Sequence, residues 1–75
     1  QAAPFDLVVA NISFRVLSTL QEDLFPLVKS GGMVILSGVL DERADELVDL
    51  WQRAGWRSIR REHEADWAAV QLRRA

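Results

Sequence analysis

Two short runs of unbroken apolar residues constrain this chain more than any other feature. They are Leu7-Val8-Val9-Ala10, entered from Asp6 and left through Asn11, and Met33-Val34-Ile35-Leu36, left through Ser37-Gly38. A strand with one wet face alternates polar and apolar residues, whereas a strand covered on both faces is apolar throughout, as in a parallel sheet. The segment between the runs suits a crossover helix. Ser13 is placed to cap it, and Phe14, Leu17, Leu20, Leu24, Leu27 and Val28 follow at helical spacing. Pro26 lies inside that pattern and disfavours the α region at Phe25, so a kink or break is expected there. Lys29-Ser30-Gly31-Gly32 then breaks the chain before the second strand, its glycines available for left-handed backbone angles.

After the second strand, Asp41 is a good N-cap, and Glu42 adds favourable charge at the positive end of the helix dipole. Ala44, Leu47, Val48, Trp51 and Ala54 form one apolar stripe, and Gly55 is well placed to end this helix. Trp56 to Glu64 reads as a third strand carrying Arg57, Arg60, Arg61, Glu62 and Glu64, a charge load that suits a sheet edge. Ala65-Asp66 is a short turn, and Trp67-Ala68-Ala69-Val70-Gln71-Leu72 is a fourth, more apolar strand.

The order is β-α-β-α-β-β. Two βα units with buried-type strands predict a parallel sheet with right-handed crossovers, and the final pair must be a hairpin. The apolar last strand is expected between the second and third, leaving the charged third at the edge. The first strand then has an open side that preceding βα units would normally cover. With a start at Gln1 rather than at methionine, the reading is the C-terminal half of a Rossmann-like α/β domain belonging to a larger enzyme.

Composition narrows the function. The chain has 75 residues, near the size at which one core leaves little net stability without a disulfide, a metal or a partner. It has no cysteine, which excludes a disulfide scaffold and thiolate zinc sites and is compatible with a reducing, cytoplasmic setting. Nine Lys+Arg against eleven Asp+Glu gives no global reason to expect nucleic acid or an anionic membrane as partner. No apolar run approaches the roughly 20 residues that span a bilayer.

Chemistry is sparse. Asn11 ends the first strand at its carboxyl edge, on the side where open α/β sheets bind ligands, and its amide offers both a donor and an acceptor; a turn or capping asparagine would look the same. Ser37-Gly38 ends the second strand on the same rim, where Gly38 either admits a close backbone approach or turns the chain. Gly31-Gly32 lacks the surroundings of a phosphate loop and precedes a strand, so it reads as a turn. His63, the only histidine, lies among Glu62 and Glu64 and reads as an exposed edge residue. Trp51, Trp56 and Trp67 are expected in the core. The Arg57-Arg60-Arg61 group is too small and too mixed with Glu for a nucleic-acid surface. No Ser-His-Asp set, carboxylate pair or metal constellation is visible, so the residues by themselves yield an architecture and a candidate rim, not a reaction.

The run Phe5-Asp6-Leu7-Val8-Val9-Ala10-Asn11-Ile12 resembles a motif of the PrmA family, S-adenosylmethionine-dependent methyltransferases that modify large-subunit ribosomal protein eleven. The resemblance continues through Lys29 to Gly32 and Ile35-Leu36-Ser37-Gly38-Val39-Leu40-Asp41-Glu42-Arg43-Ala44-Asp45-Glu46, then Ala54-Gly55-Trp56, and ends at Asp66-Trp67-Ala68-Ala69. Many amine methyltransferases share a looser form of the asparagine motif; the stretch from Ser37 to Glu46 is far more specific. The resemblance implies that these are strands four to seven of a seven-stranded methyltransferase sheet with an antiparallel last strand. It implies that Asn11 and Ile12 touch the cofactor S-adenosylmethionine, that Asn11 positions the acceptor amine, and that the acceptor is a ribosomal protein. No metal, membrane or direct nucleic-acid contact is implied. The chain departs from the family pattern at Ser13-Phe14, where Leu-Ala is usual, and at Ser30, where Pro is usual. The first change lies near the expected acceptor and leaves its identity open. The glycine-rich loop and the acidic residue that hold most of the cofactor in this fold are absent from these 75 residues. A related methyltransferase with another acceptor, a non-catalytic methyltransferase-like docking module and half of a dinucleotide-binding domain stay open as alternatives.

Overall fold

In a computed structural model, which describes residues 4–11 and 13–75, the chain runs β1 (Phe5–Asn11), α1 (Phe14–Leu17), α2 (Gln21–Leu24), a 3-10 turn (Phe25–Leu27), β2 (Val28–Leu40), α3 (Asp41–Arg53), β3 (Trp56–Glu64) and β4 (Trp67–Arg74). The strands form one sheet in the order β1-β2-β4-β3, with β1 parallel to β2 and β4 antiparallel to both its neighbours. The expected element order and the insertion of the last strand beside the second are both observed. The burial pattern supplies the reason. Ala68, Val70 and Leu72 of β4 are buried against α3, whereas β3 buries only Trp56 and leaves its charges in water at the edge.

The core lies on one face of the sheet. Val34, Leu36 and Val39 of β2 meet Ala44, Leu47, Val48 and Trp51 of α3 there, with Leu17 of α1 and Val28 completing the cluster. Each fully buried Leu or Val side chain contributes roughly 1.5–3 kcal/mol relative to exposure. The apolar stripe of α3 therefore supplies much of what fixes the sheet. Gly55 ends that helix at φ 101°, donating its N–H to Gln52 O, as the sequence anticipates.

Several expectations need correction. The helical segment after β1 is two four-residue helices and a 3-10 turn. The break expected at Phe25-Pro26 is present, as α2 gives way there to the 3-10 turn, but the chain also breaks earlier, after Leu17. The Ser18 Oγ donates to Arg15 O and the Thr19 Oγ1 donates to Val16 O, both at 2.9 Å, side-chain bonds that compete with helix continuation. Two indole N–H groups brace the broken segment: Trp51 Nε1 donates to Leu17 O at 2.9 Å and Trp56 Nε1 to Gln21 O at 3.1 Å.

The Lys29 to Gly32 stretch is not a break before β2 but an irregularity within it. The register jumps from Phe5↔Val28 to Leu7↔Met33, so four residues of β2, Lys29 to Gly32, stand opposite Asp6 alone, three more than a regular ladder holds. Only Gly31 is left-handed there, with φ 83°. Gly32 is small for another reason: a Cβ on it would meet Val28 Cγ1 at 2.8 Å, Lys29 O at 2.9 Å and Asp6 O at 3.0 Å.

Asp41 is the first residue of α3, and Leu40 occupies the cap position with no side-chain bond. The Asp41 N–H is satisfied by Asp66 O at 2.8 Å, a backbone partner from the hairpin turn that no local pattern announces. Trp51 and Trp56 are buried, but Trp67 is 51% exposed at the start of β4. Cover on both faces of β1 is also not found: Val8 and Ala10 pack on the core, while Leu7 and Val9 are 49% and 63% exposed on the opposite face. Among the described residues, no helix is long and apolar enough to cross a membrane.

Candidate functional site

Parallel pairing brings the carboxyl ends of β1 and β2 together as one rim. Asn11, the last residue of β1, lies opposite Ser37 in the ladder and is exposed. Ile12, the other residue expected to touch the cofactor, lies outside the described residues. Beyond it the chain turns into α1, where Ser13 acts as the expected cap: its Oγ accepts from Val16 N at 3.4 Å, and its carbonyl accepts from Leu17 N at 2.9 Å. The bond from Trp51 to Leu17 O ties this helix to α3.

Across the rim, β2 leaves the sheet through a second bulge. Leu36 pairs with Val70 and Val39 with Ala68, so Ser37 and Gly38 of β2 stand against Ala69 alone of β4. Gly38 accommodates the extra residue with φ 77°. The space on its side-chain side is taken by Asn11: a Cβ built on Gly38 would lie 2.5 Å from Asn11 Oδ1 and 3.7 Å from Asn11 Cγ. The two sequence candidates, Asn11 and Ser37-Gly38, are therefore in contact.

Three further features border this rim that no pattern in the sequence announces. The Arg43 guanidinium of α3 stacks 3.8 Å from the centre of the Phe14 ring. The Asp41 carboxylate lies 2.5 Å from His63 Nδ1, linking the start of α3 to the end of β3. A shallow groove of about 280 Å³ runs from Ser37 and Gly38 past Glu62, His63 and Glu64 to the exposed face of Trp67. Each joins elements that only the sheet order brings together, and no spacing in the sequence carries that signal. His63 is half-exposed at the edge, as expected, but its partner is Asp41.

The other candidates lie away from the rim. The bulge at Gly31-Gly32 is at the opposite end of β2, beside Asp6. Trp51 and Trp56 pack on one another with centroids 5.0 Å apart. Arg60 pairs with Glu62, and Arg61 pairs with Asp45 at 2.8 Å, which spends their charge within the molecule. Among the described residues, no group of three or more His, Asp or Glu side chains is placed to hold a metal ion. The chemical resources at the junction of Asn11, Ser37 and Gly38 are thus an amide, a hydroxyl and a backbone free of side chain. An amide donates and accepts hydrogen bonds without titrating near neutral pH, a chemistry suited to orienting a ligand rather than to moving protons.

Comparison with known proteins places these residues in a family. The sequence profile of the family described as Ribosomal protein L11 methyltransferase (PrmA) matches residues 1–75. The ribosomal protein L11 methyltransferase of Chloroflexus aurantiacus is 39% identical over 72 residues, which cover 96% of this chain and 22% of that protein. The crystal structure of ribosomal protein L11 methylase from Lactobacillus delbrueckii subsp. bulgaricus superposes with a TM-score of 0.88 at 23% identity, over 97% of this chain and 38% of that one. The crystal structure of an M1.HpyAVI-SAM complex superposes with a TM-score of 0.77 at 11% identity, over 96% of this chain and 45% of that one. At these identities the two structural likenesses speak for the fold. The chain spans about a quarter of the length of the curated relatives it matches.

Proposed function

The chain belongs to the ribosomal protein L11 methyltransferase (PrmA) family, and from that premise we propose that it is the C-terminal part of an S-adenosylmethionine-dependent methyltransferase acting on amines of a ribosomal protein. Its four strands are strands four to seven of a seven-stranded, Rossmann-like sheet. An acceptor of that kind makes the cytoplasm the place of action. The observation that carries the reading is the match over the whole chain, by a family whose name states the reaction. The mixed sheet, with its antiparallel β4 and a polar rim at the ends of β1 and β2, is consistent with it.

The rim fits one edge of the cofactor. Asn11 presents an exposed amide, and Gly38 adds no side chain to the space beside it. When bound, S-adenosylmethionine supplies a methyl carbon activated by its sulfonium sulfur. Asn11 and Ile12 would hold that cofactor where the acceptor amine approaches, and the role of Asn11 is positioning. An amine attacks in line and must be uncharged, so what these residues contribute is alignment and exclusion of water from the nitrogen.

The test is Asn11→Ala in the full-length polypeptide, with methyl transfer followed by radiolabel. Loss of one positioning contact lowers turnover by about tenfold to a hundredfold, the range set by small misplacements at a reacting centre. Thermal unfolding should stay near that of the parent, because Asn11 is exposed. Wild-type turnover by the variant would remove Asn11 from the site.

A further inference from the structure

The contact between Asn11 and Gly38 joins two residues 27 positions apart and adds a second demand for glycine to that of the bulge. A left-handed residue at a bulge favours glycine for its backbone. Gly31 shows that requirement in isolation: its φ is 83°, and a Cβ added there meets nothing within 4 Å. Gly38 has nearly the same φ, 77°, but an added Cβ would press on the Asn11 carboxamide at 2.5 Å, well inside van der Waals contact. The obstacle is the functional end of the Asn11 side chain rather than a backbone atom. A methyl group on residue 38 would therefore be relieved by turning the amide away. Asn11 and Ser37 are ladder partners at the end of β1 and β2, which fixes how far the two main chains can part.

We propose that Gly38 is a positioning residue for methyl transfer: the bulge after Ser37 leaves a side-chain-free surface against which the Asn11 carboxamide is oriented. The inference rests on the reading that places Asn11 at the reacting centre. It adds that the orientation of Asn11 is set by β2. Ser37 and Gly38 also border the groove that runs to Trp67.

The experiment uses the full-length polypeptide and four variants: Gly38→Ala, Gly31→Ala, Asn11→Ala and the double variant Asn11→Ala/Gly38→Ala. Gly31→Ala carries the left-handed strain without the collision and should keep wild-type kcat. Gly38→Ala should lower kcat by about tenfold to a hundredfold with the acceptor KM little changed, the signature of a lost transition-state alignment. In the double variant the amide is already gone, so Gly38→Ala should subtract nothing further from the kcat of Asn11→Ala. Wild-type kcat in Gly38→Ala, or losses that multiply in the double variant, would overturn the proposal and leave the Asn11 reading standing. Wild-type kcat in Asn11→Ala would sink that reading and this inference with it. Should Gly38→Ala fail to fold, recovery of folding in the double variant supports the collision. A double variant that stays unfolded assigns Gly38 to backbone conformation alone and overturns it.

Discussion

Trp51 shows how one residue can be read correctly and still incompletely. Its place on the apolar stripe of α3 follows from helical spacing, and it is fully buried. Spacing says nothing about its indole N–H, which crosses to Leu17 O at 2.9 Å and closes a carbonyl that the broken helix leaves over. Trp51→Phe keeps a six-membered ring in the core, loses the pyrrole ring with its donor and leaves that carbonyl unpaired in the interior. Stability should fall by at least about 1–3 kcal/mol, the range for a buried polar group that loses its partner, with the space left by the pyrrole ring adding to it. Denaturant titration of the full-length polypeptide measures it, and an unchanged midpoint would mean that the bond contributes nothing. Asn11 was legible for a similar reason: a polar residue ending an apolar run marks the end of a strand. Its contact with Gly38 was not legible, because the bulge that makes room depends on how β2 is registered against β4, with Leu36 opposite Val70.

At the scale of elements, contiguous structure was legible and compensated structure was not. The helix α3 and the hairpin of β3 and β4 are each built from one uninterrupted pattern and appear close to their expected bounds. The segment after β1 carries a helical pattern too, but hydroxyls of Ser18 and Thr19 and a proline divide it, and the indoles of Trp51 and Trp56 brace the pieces from another part of the chain. By pattern the Gly31-Gly32 pair reads as one turn, whereas the two glycines answer different demands within β2. Gly31→Ala should cost about 1–2 kcal/mol for its left-handed backbone. Gly32→Ala should cost more than that, because two of its three close contacts are backbone oxygens, one on β1 and one within the bulge, and relief requires the strands to shift. Comparing the two midpoints checks the order; equal losses would show that the bulge yields without moving β1.

For the whole molecule, the continuous apolar runs foretold more cover than these residues provide. Helix α3 and the broken segment close one face of the sheet, while Leu7 and Val9 stand exposed on the other, beside half-buried Met33, Ile35 and Ala69. Strands of that composition belong between two layers, and the curated relatives are about four times as long as the segment they share with this chain. The cofactor follows the same logic. The rim contributed by β1 and β2 offers one amide, one hydroxyl and an open groove of about 280 Å³. A ligand held tightly is generally enclosed over most of its surface, with several polar groups converging on it. Residues 1–75 contain no glycine-rich phosphate or cofactor loop. On the proposed reading, calorimetry should detect S-adenosylmethionine binding by the full-length polypeptide. Residues 1–75 produced separately should give no measurable heat at concentrations that saturate the longer chain. Micromolar binding by residues 1–75 would overturn that division of labour, and the determinants of affinity would then have to be sought among Asn11, Ser37, Gly38 and the groove beside them.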